Sequence, residues 1–257
     1  MDAVPRDMCV MRAYAAITGS LMLLSSAELA LAADWYTGAS APVQKDDWFV
    51  AIDTSGSVTS TGSAFGRVAA TGSVANPLTF SGPRYRIEGG GGTFTYTSGA
   101  GDQVNGTQMY GSFLGGYERV WNRGSVAGYL GVDARNTNLS VADPANTTAG
   151  TSVGIKAVAE FYMKPWDHTM ISGMMSYATN HSSFFLNLRG GYEVFGFGHV
   201  GPDLTVLSDA SFKQMRVGAF YSSPKIYGVQ FGAATGVLTD SRTQGGVYGT
   251  LSARFGF

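Results

Sequence analysis

The sequence predicts an all-β protein, a closed antiparallel transmembrane β-barrel of twelve strands, with ten as the smaller alternative. Three observations predict it. First, the final stretch alternates. Val247, Gly249, Leu251, Ala253, Phe255 and Phe257 share one face, and Tyr248, Thr250, Ser252 and Arg254 share the other, because side chains of a strand change face at every residue. Second, amphipathic runs of this kind recur from Trp48 onward with turn residues between them. No segment beyond residue 32 offers the 18 consecutive apolar residues of a membrane helix. Third, glycine makes up 36 of 257 residues, about twice the usual share. It shows no collagen-like period and falls inside the strand-like runs, as in curved, closely packed sheets.

The N-terminal segment has a separate character. Arg6 and Arg12 precede an apolar run from Ala13 to Ala27 centred on Leu21, Met22, Leu23 and Leu24, and Ala30-Leu31-Ala32 supplies a small-x-small site. Residues 1–32 therefore read as a secretory signal peptide cleaved before Ala33. Gly19, Ser20 and Glu28 interrupt the run too often for a good membrane span. Residues 33–47 are expected to form an N-terminal periplasmic segment, and 48–257 the barrel. Residues 1–32 hold two of the 17 basic and three of the 18 acidic residues, so the remainder is neutral, which gives no electrostatic support for nucleic acid as a partner. The one cysteine, Cys9, lies in the signal region, which excludes disulfides and thiolate chemistry from the mature chain.

The expected strands, in order, are 48–58, 63–73, 83–97, 107–121, 124–138, 151–164, 168–178, 183–195, 197–207, 210–221, 227–239 and 245–257. The second is the weakest, being mostly small residues. An even number brings both ends of the barrel to one side, the periplasmic one. On that side the connections are expected to be short, as at Asn122-Arg123-Gly124, Lys164-Pro165-Trp166-Asp167, Phe195-Gly196-Phe197 and Ser222-Ser223-Pro224-Lys225. The opposite side is expected to carry long polar loops, Ser98 to Gly106, Leu139 to Gly150 and Asp240 to Gly246. The stretch from Val74 to Gly82 breaks this pattern. Trp48, Trp121, Trp166, Phe195, Phe197, Tyr221, Tyr227 and Phe257 all fall at the periplasmic ends and form an expected membrane-interface girdle, since amphipathic rings favour the lipid–water boundary.

Alternation alone does not distinguish a membrane barrel from a soluble one, which would turn the same oily face inward. The signal segment, the terminal aromatic and the girdle favour the membrane version, in which closure leaves no backbone edge facing lipid. The polar face then lines the lumen with Arg86, Glu88, Glu118, Asp133, Arg135, Lys156, Glu160, Arg189, Glu193, Asp203, Arg216 and Arg254. Ile87, Phe113, Leu130, Val132, Ile155, Phe161, Leu186, Leu188 and Val217 face the other way. Balanced charge favours ion pairs that brace the barrel over a wet conduit, because selective pores line up one sign. Tyr96, Tyr110, Tyr129, Tyr162 and Phe185 also face inward, either filling space or offering rings on which sugars can stack.

Catalytic signals are weak. Gly150-Thr151-Ser152-Val153-Gly154 matches the G-x-S-x-G string of serine hydrolases but opens a strand, where that motif requires a strand–turn–helix. His168, His181 and His199 fit no metal spacing. His181 beside Ser182 in an outer loop is the one base–nucleophile pairing that a lipid-modifying barrel could use. Gly89 to Gly92 lacks the Lys-Ser/Thr of a phosphate loop and reads as a bend or a smooth lumenal patch. No catalytic residue, cofactor or metal is expected.

From Gly82 to Phe257 the order of residues resembles the cellulose biosynthesis protein BcsS family of alphaproteobacteria. The likeness rests on Tyr85-Arg86 before the glycine run, Gly115-Gly116-Tyr117-Glu118, Gly131-Val132-Asp133, Asn138-Leu139-Ser140 and Asp143-Pro144. It continues through Gly154-Ile155-Lys156 with Glu160, Arg189-Gly190-Gly191-Tyr192, Gly201-Pro202-Asp203, the run Gln214 to Ala219 and Gly246-Val247-Tyr248. Residues 33–81 match less clearly. The resemblance implies a bacterial outer-membrane protein with an accessory, non-catalytic role in making or exporting cellulose. Its expected partners are outer-membrane lipid and either cellulose or components of the cellulose-synthase complex. The barrel-assembly machinery joins them, because a last strand ending on an aromatic resembles the assembly signal of such barrels. A passive small-solute channel and a lipid-modifying enzyme are the alternatives.

Overall fold

The computed structural model describes residues 48–242 and 245–257; the expected signal peptide and the 33–47 segment lie outside the described residues. Twelve strands follow one another: β1 Val50–Thr59, β2 Ser63–Ser73, β3 Gly82–Thr97, β4 Gln103–Trp121, β5 Gly124–Leu139 and β6 Gly150–Met163. Then come β7 Thr169–Ala178, a 3-10 turn Asn180–Ser182, β8 Ser183–Glu193, β9 His199–Ser208, β10 Lys213–Ser222, β11 Val229–Asp240 and β12 Gly246–Gly256. Each strand pairs antiparallel with its neighbours in sequence, and β1 pairs with β12 from Ala51↔Gly256 to Thr59↔Tyr248, closing the barrel. Closure removes every free edge. The shortest strands, β1 among them, have 10 residues, enough to cross a bilayer, which takes about 9–11 tilted residues.

Period-two alternation sets the radial position of each side chain. In β5, Val132 is 56 % exposed and Asp133 is 0 % exposed. Ile87, Phe113, Leu130, Ile155, Val217 and Leu251 are likewise exposed on the outer wall, while Glu88, Arg86 and Arg216 are buried within. Apolar outside and ionic inside is the arrangement of a membrane-spanning barrel. The glycine run in β3 serves packing. Gly90 and Gly92 point inward, and a Cβ on Gly90 would lie 2.6 Å from the Tyr110 ring and 2.7 Å from the Gly66 carbonyl oxygen. The space left free seats Phe65 against Tyr110, with centroids 6.0 Å apart and planes at 14°.

The expected contrast between short and long connections does not hold. At the near end, where β1 begins and β12 finishes, the connections span 74–81, 122–123, 164–168, 194–198 and 223–228. At the far end they span 60–62, 98–102, 140–149, 179–182, 209–212 and 241–245, so only 140–149 is long. Of the expected far-end loops, 98–106 is shortened because Gln103–Gly106 is strand, paired across the ladder to β3, while 140–149 and 241–245 remain connections. Thr95 Oγ1 donates across the ladder to Asn105 Oδ1 at 2.8 Å and Asn136 Nδ2 to Thr151 Oγ1 at 2.7 Å, while Asn138 Nδ2 donates to Asn136 Oδ1 at 2.8 Å within β5. β4 thereby reaches 19 residues, and the wall around it rises beyond the bilayer.

A filled ionic lumen as candidate functional site

Inward charges from most of the strands meet in the lumen. At its centre the Glu88 carboxylate faces three cations: Arg67 Nη2 at 2.8 Å, Lys156 Nζ at 3.4 Å and Arg86 Nε at 3.7 Å. Arg86 also reaches across to Glu160 at 2.7 Å, joining β3 to β6. Lys156 and Arg135 both approach Asp133, at 3.7 and 3.6 Å. Asp133 further accepts hydrogen bonds from Ser112 Oγ and Asn180 Nδ2, each at 2.6 Å. On the other side of the lumen Arg189 binds Asp203 at 2.6 Å, and Tyr248 Oη donates to Asp203 at 3.0 Å. Arg216 lies over the Tyr248 ring and donates to Gln214 and Ser57.

Rings complete the filling. Arg86 sits 5.5 Å from the Tyr129 centroid, Lys156 5.1 Å from Tyr110 and Arg189 5.2 Å from Phe220, within the range of cation–π attraction. Leu114, Tyr129, Val158, Met174, Phe185 and Leu207 form one buried apolar cluster, and Tyr162, Met170, Phe220, Leu238 and Tyr248 form a second. Of the inward aromatics considered as sugar platforms, Tyr110, Tyr129, Tyr162 and Phe185 are covered in this way. Only Tyr96 borders an open recess.

Three further inward ionic residues join those expected from the sequence. Arg67 holds Glu88, Asp53 lies 3.7 Å from Arg254, and Arg84 pairs with Glu118 at 2.9 Å. Arg84 shares its face with Arg86 and Glu88, so parity alone places it inside. Its second task is at the near end, where it donates to Ser73 Oγ at 3.0 Å and to the carbonyls of Leu78 and Phe80. That ties down the 74–81 connection, whose Leu78 amide also bonds the Trp48 carbonyl at 2.6 Å. Glu193 differs from the other charges: it sits at the near-end rim, 3.2 Å from the exposed His168 ring.

The girdle residues all lie at the near end. Trp48 and Phe257 flank β1 and β12, Trp121 ends β4, Tyr221 is the last residue but one of β10, and Trp166, Phe195, Phe197 and Tyr227 occupy turns. Tyr221 Oη donates to the Phe197 carbonyl at 2.7 Å, and Lys225 Nζ lies 3.1 Å from the Trp48 ring centroid.

The hydrolase-like string has a different partner from the one expected. His181 Nε2 lies 2.8 Å from Ser152 Oγ, not from Ser182, which is exposed in a left-handed conformation at φ 49. Burial, reinforced by Arg135, holds His181 below its ordinary pKa, so the ring is neutral at pH 7. No hydrogen bond orients its Nδ1 among the described residues, and Ser152 lies in a strand facing the lumen. The orienting carboxylate of a triad is therefore missing. Among the described residues no three His, Cys, Asp or Glu side chains converge in a metal-binding group.

An apolar outer wall around an ionic, ring-packed interior defines a membrane-spanning β-barrel whose lumen is occupied by its own side chains. The chain belongs to the cellulose biosynthesis protein BcsS family, whose model matches residues 48–257. Membership implies a role in cellulose biosynthesis, and the match includes β1 and β2, ahead of Gly82 where the residue-by-residue resemblance began. Among proteins with curated functions no sequence matches. Solved barrels are similar only distantly. The KdgM porin shows 12 % identity and a TM-score of 0.45, covering 80 % of this chain and 99 % of its own. The Pseudomonas putida toluene transporter TodX shows 9 % identity and 0.41, covering 89 % and 96 %. A Pseudomonas aeruginosa FadL homologue shows 10 % and 0.41, covering 84 % and 77 %. At this distance the likeness is of barrel to barrel and carries nothing about what this chain does.

Proposed function

We propose that the protein is a non-catalytic accessory of cellulose synthesis or export in the bacterial outer membrane, delivered by the 1–32 signal and inserted by the barrel-assembly machinery. Its near end, with the aromatic girdle, faces the periplasm, and its far end rises from the cell surface. The supporting observation is the lumen: Glu88, Asp133 and Arg216 are 2 % exposed or less, so water does not reach the level at which a solute would have to pass. A polymer or solute conduit needs an open path. A filled barrel is instead a rigid platform presenting its two ends, to the synthase complex on one side and to the emerging glycan on the other.

Deletion of the gene under cellulose-producing conditions tests this reading, with cellulose measured by dye binding and by glucose released on hydrolysis. Reduced or mislocalised cellulose is expected, and unchanged cellulose contradicts the proposal. The lipid-modifying alternative rests on the Ser152–His181 contact and is answered by Ser152→Ala, which is expected to leave the lipid profile unaltered.

A further inference from the structure

The outer wall carries one charge that the rest of the chain does not answer. Among the described strand residues, every acidic or basic side chain lies on the inward face except two. One is Lys213, the first residue of β10 at the far-end rim, and the other is Arg119, set within β4 near the near end. Parity is plain there: Glu118 and Val120 are partly covered, while Tyr117, Arg119 and Trp121 are exposed. Arg119 has no hydrogen bond or ion pair among the described residues.

The near-end acids are already engaged. Glu118 turns inward to Arg84 at 2.9 Å, Asp167 pairs with Arg123 at 3.3 Å, and Glu193 lies 3.2 Å from His168. Around Arg119 the wall is apolar. In the register Arg119 faces Val126, and Val126 faces Phe161 on β6. Tyr117 and Trp121 flank it along β4, both exposed.

Depth decides what this guanidinium meets. Trp121 belongs to the aromatic girdle, which marks the lipid–water boundary. Arg119 lies two residues further in, about 7 Å along the strand, or about 5 Å of depth once strand tilt is included. An arginine at that level lays its aliphatic stem on the apolar wall and returns its charge to the headgroups. The anions there are phosphates, which a guanidinium grips with two parallel hydrogen bonds. An acyl tail or a neutral glyceride would leave the charge unmet.

We infer that Arg119 is the phosphate-binding residue of a lipid site on the outer wall. Resting on the orientation given under the proposed function, the lipid is a glycerophospholipid of the periplasmic leaflet. Arg119 holds its headgroup phosphate between Tyr117 and Trp121, and Val126 and Phe161 lie under its acyl chains.

The test is native mass spectrometry of the purified full-length barrel, released from micelles doped in turn with phosphatidylglycerol, dioleoylglycerol and lipid A. The parent is compared with Arg119→Gln and Lys213→Gln, and heat-modifiable gel migration verifies that each variant is folded. Phosphatidylglycerol is expected to be retained best. Arg119→Gln should lower its retention roughly fivefold, Lys213→Gln should leave it unaltered, and added inorganic phosphate should not displace it. Equal retention by folded Arg119→Gln, equal losses from the two variants, equal retention of dioleoylglycerol, or displacement by inorganic phosphate overturns the site. Preference for lipid A overturns the choice of lipid and with it the orientation. Cellulose lost on gene deletion without lipid retention removes the site and spares the accessory role. Retention with unchanged cellulose does the reverse.

Discussion

Replacing Glu88 by glutamine removes the one carboxylate that faces Arg67, Lys156 and Arg86, at 2.8, 3.4 and 3.7 Å. Both Arg67 and Glu88 are almost wholly out of water, so the stranded cations have no solvent to turn to. Breaking a buried pair by deleting one partner costs about 3–5 kcal/mol, and Arg86 keeps Glu160 while Lys156 keeps Asp133, which places the expected loss near the lower end. Were the lumen a wet conduit, water would screen the same contacts and the loss would be about 0–1 kcal/mol. The two pictures therefore differ by a measurable margin. Urea unfolding of the purified barrel, followed by tryptophan fluorescence, reads the difference as a lowered midpoint at unchanged slope. Adding Arg67→Met to Glu88→Gln removes the cation nearest the lost carboxylate and should recover part of the loss, since residues of one network couple by about 0.5–3 kcal/mol. A Glu88→Gln barrel within about 1 kcal/mol of the parent would refute the packed ionic core.

Three further outcomes follow from particular contacts. Arg84→Ala frees the 74–81 connection from Ser73, Leu78 and Phe80; amide exchange there should rise at least roughly tenfold while β8 and β9 stay protected, and unaltered exchange would contradict the tether. His181 has its pKa depressed from 6.5 by burial and Arg135, so the folded state binds fewer protons than the unfolded state in the window below 6.5. Its contribution is present above pH 6.5 and lost as pH falls through the folded value. Exchange at 179–183 should accelerate on acidification in the parent and not in His181→Gln, and identical pH profiles would count against the assignment. Gly90→Val forces a side chain into the Tyr110 ring and the Gly66 carbonyl, with an expected cost of about 1–3 kcal/mol by the same urea assay. An unshifted midpoint would mean the run is not there to seat Phe65 and Tyr110.

Much of the barrel could be read from one sequence because strand parity is a local property. A run such as Gly150–Met163 states which of its residues share a face, and closure needs only that all twelve runs do so. The weak second run was placed correctly for the same reason, although its small residues made Arg67 easy to pass over. Pairing is not local. Nothing in either strand announces that Arg86 in β3 meets Glu160 in β6, because that contact depends on the stagger of three intervening ladders. The start of β4, Gln103–Gly106, reads as loop because Asn and Gly favour turns in isolation, and only cross-strand bonds such as Thr95–Asn105 make it strand. His181 was matched with Ser182 by adjacency in the chain, whereas the hairpin places it over Ser152 in the neighbouring strand.

The account stands on a lumen filled by its own charges and rings, and conductance measures that most directly. Purified barrel inserted into planar bilayers at symmetric salt should be silent under steady voltage, and Glu88→Gln or Arg84→Ala should produce at most brief openings. Stable, ohmic steps from the unaltered protein would contradict it.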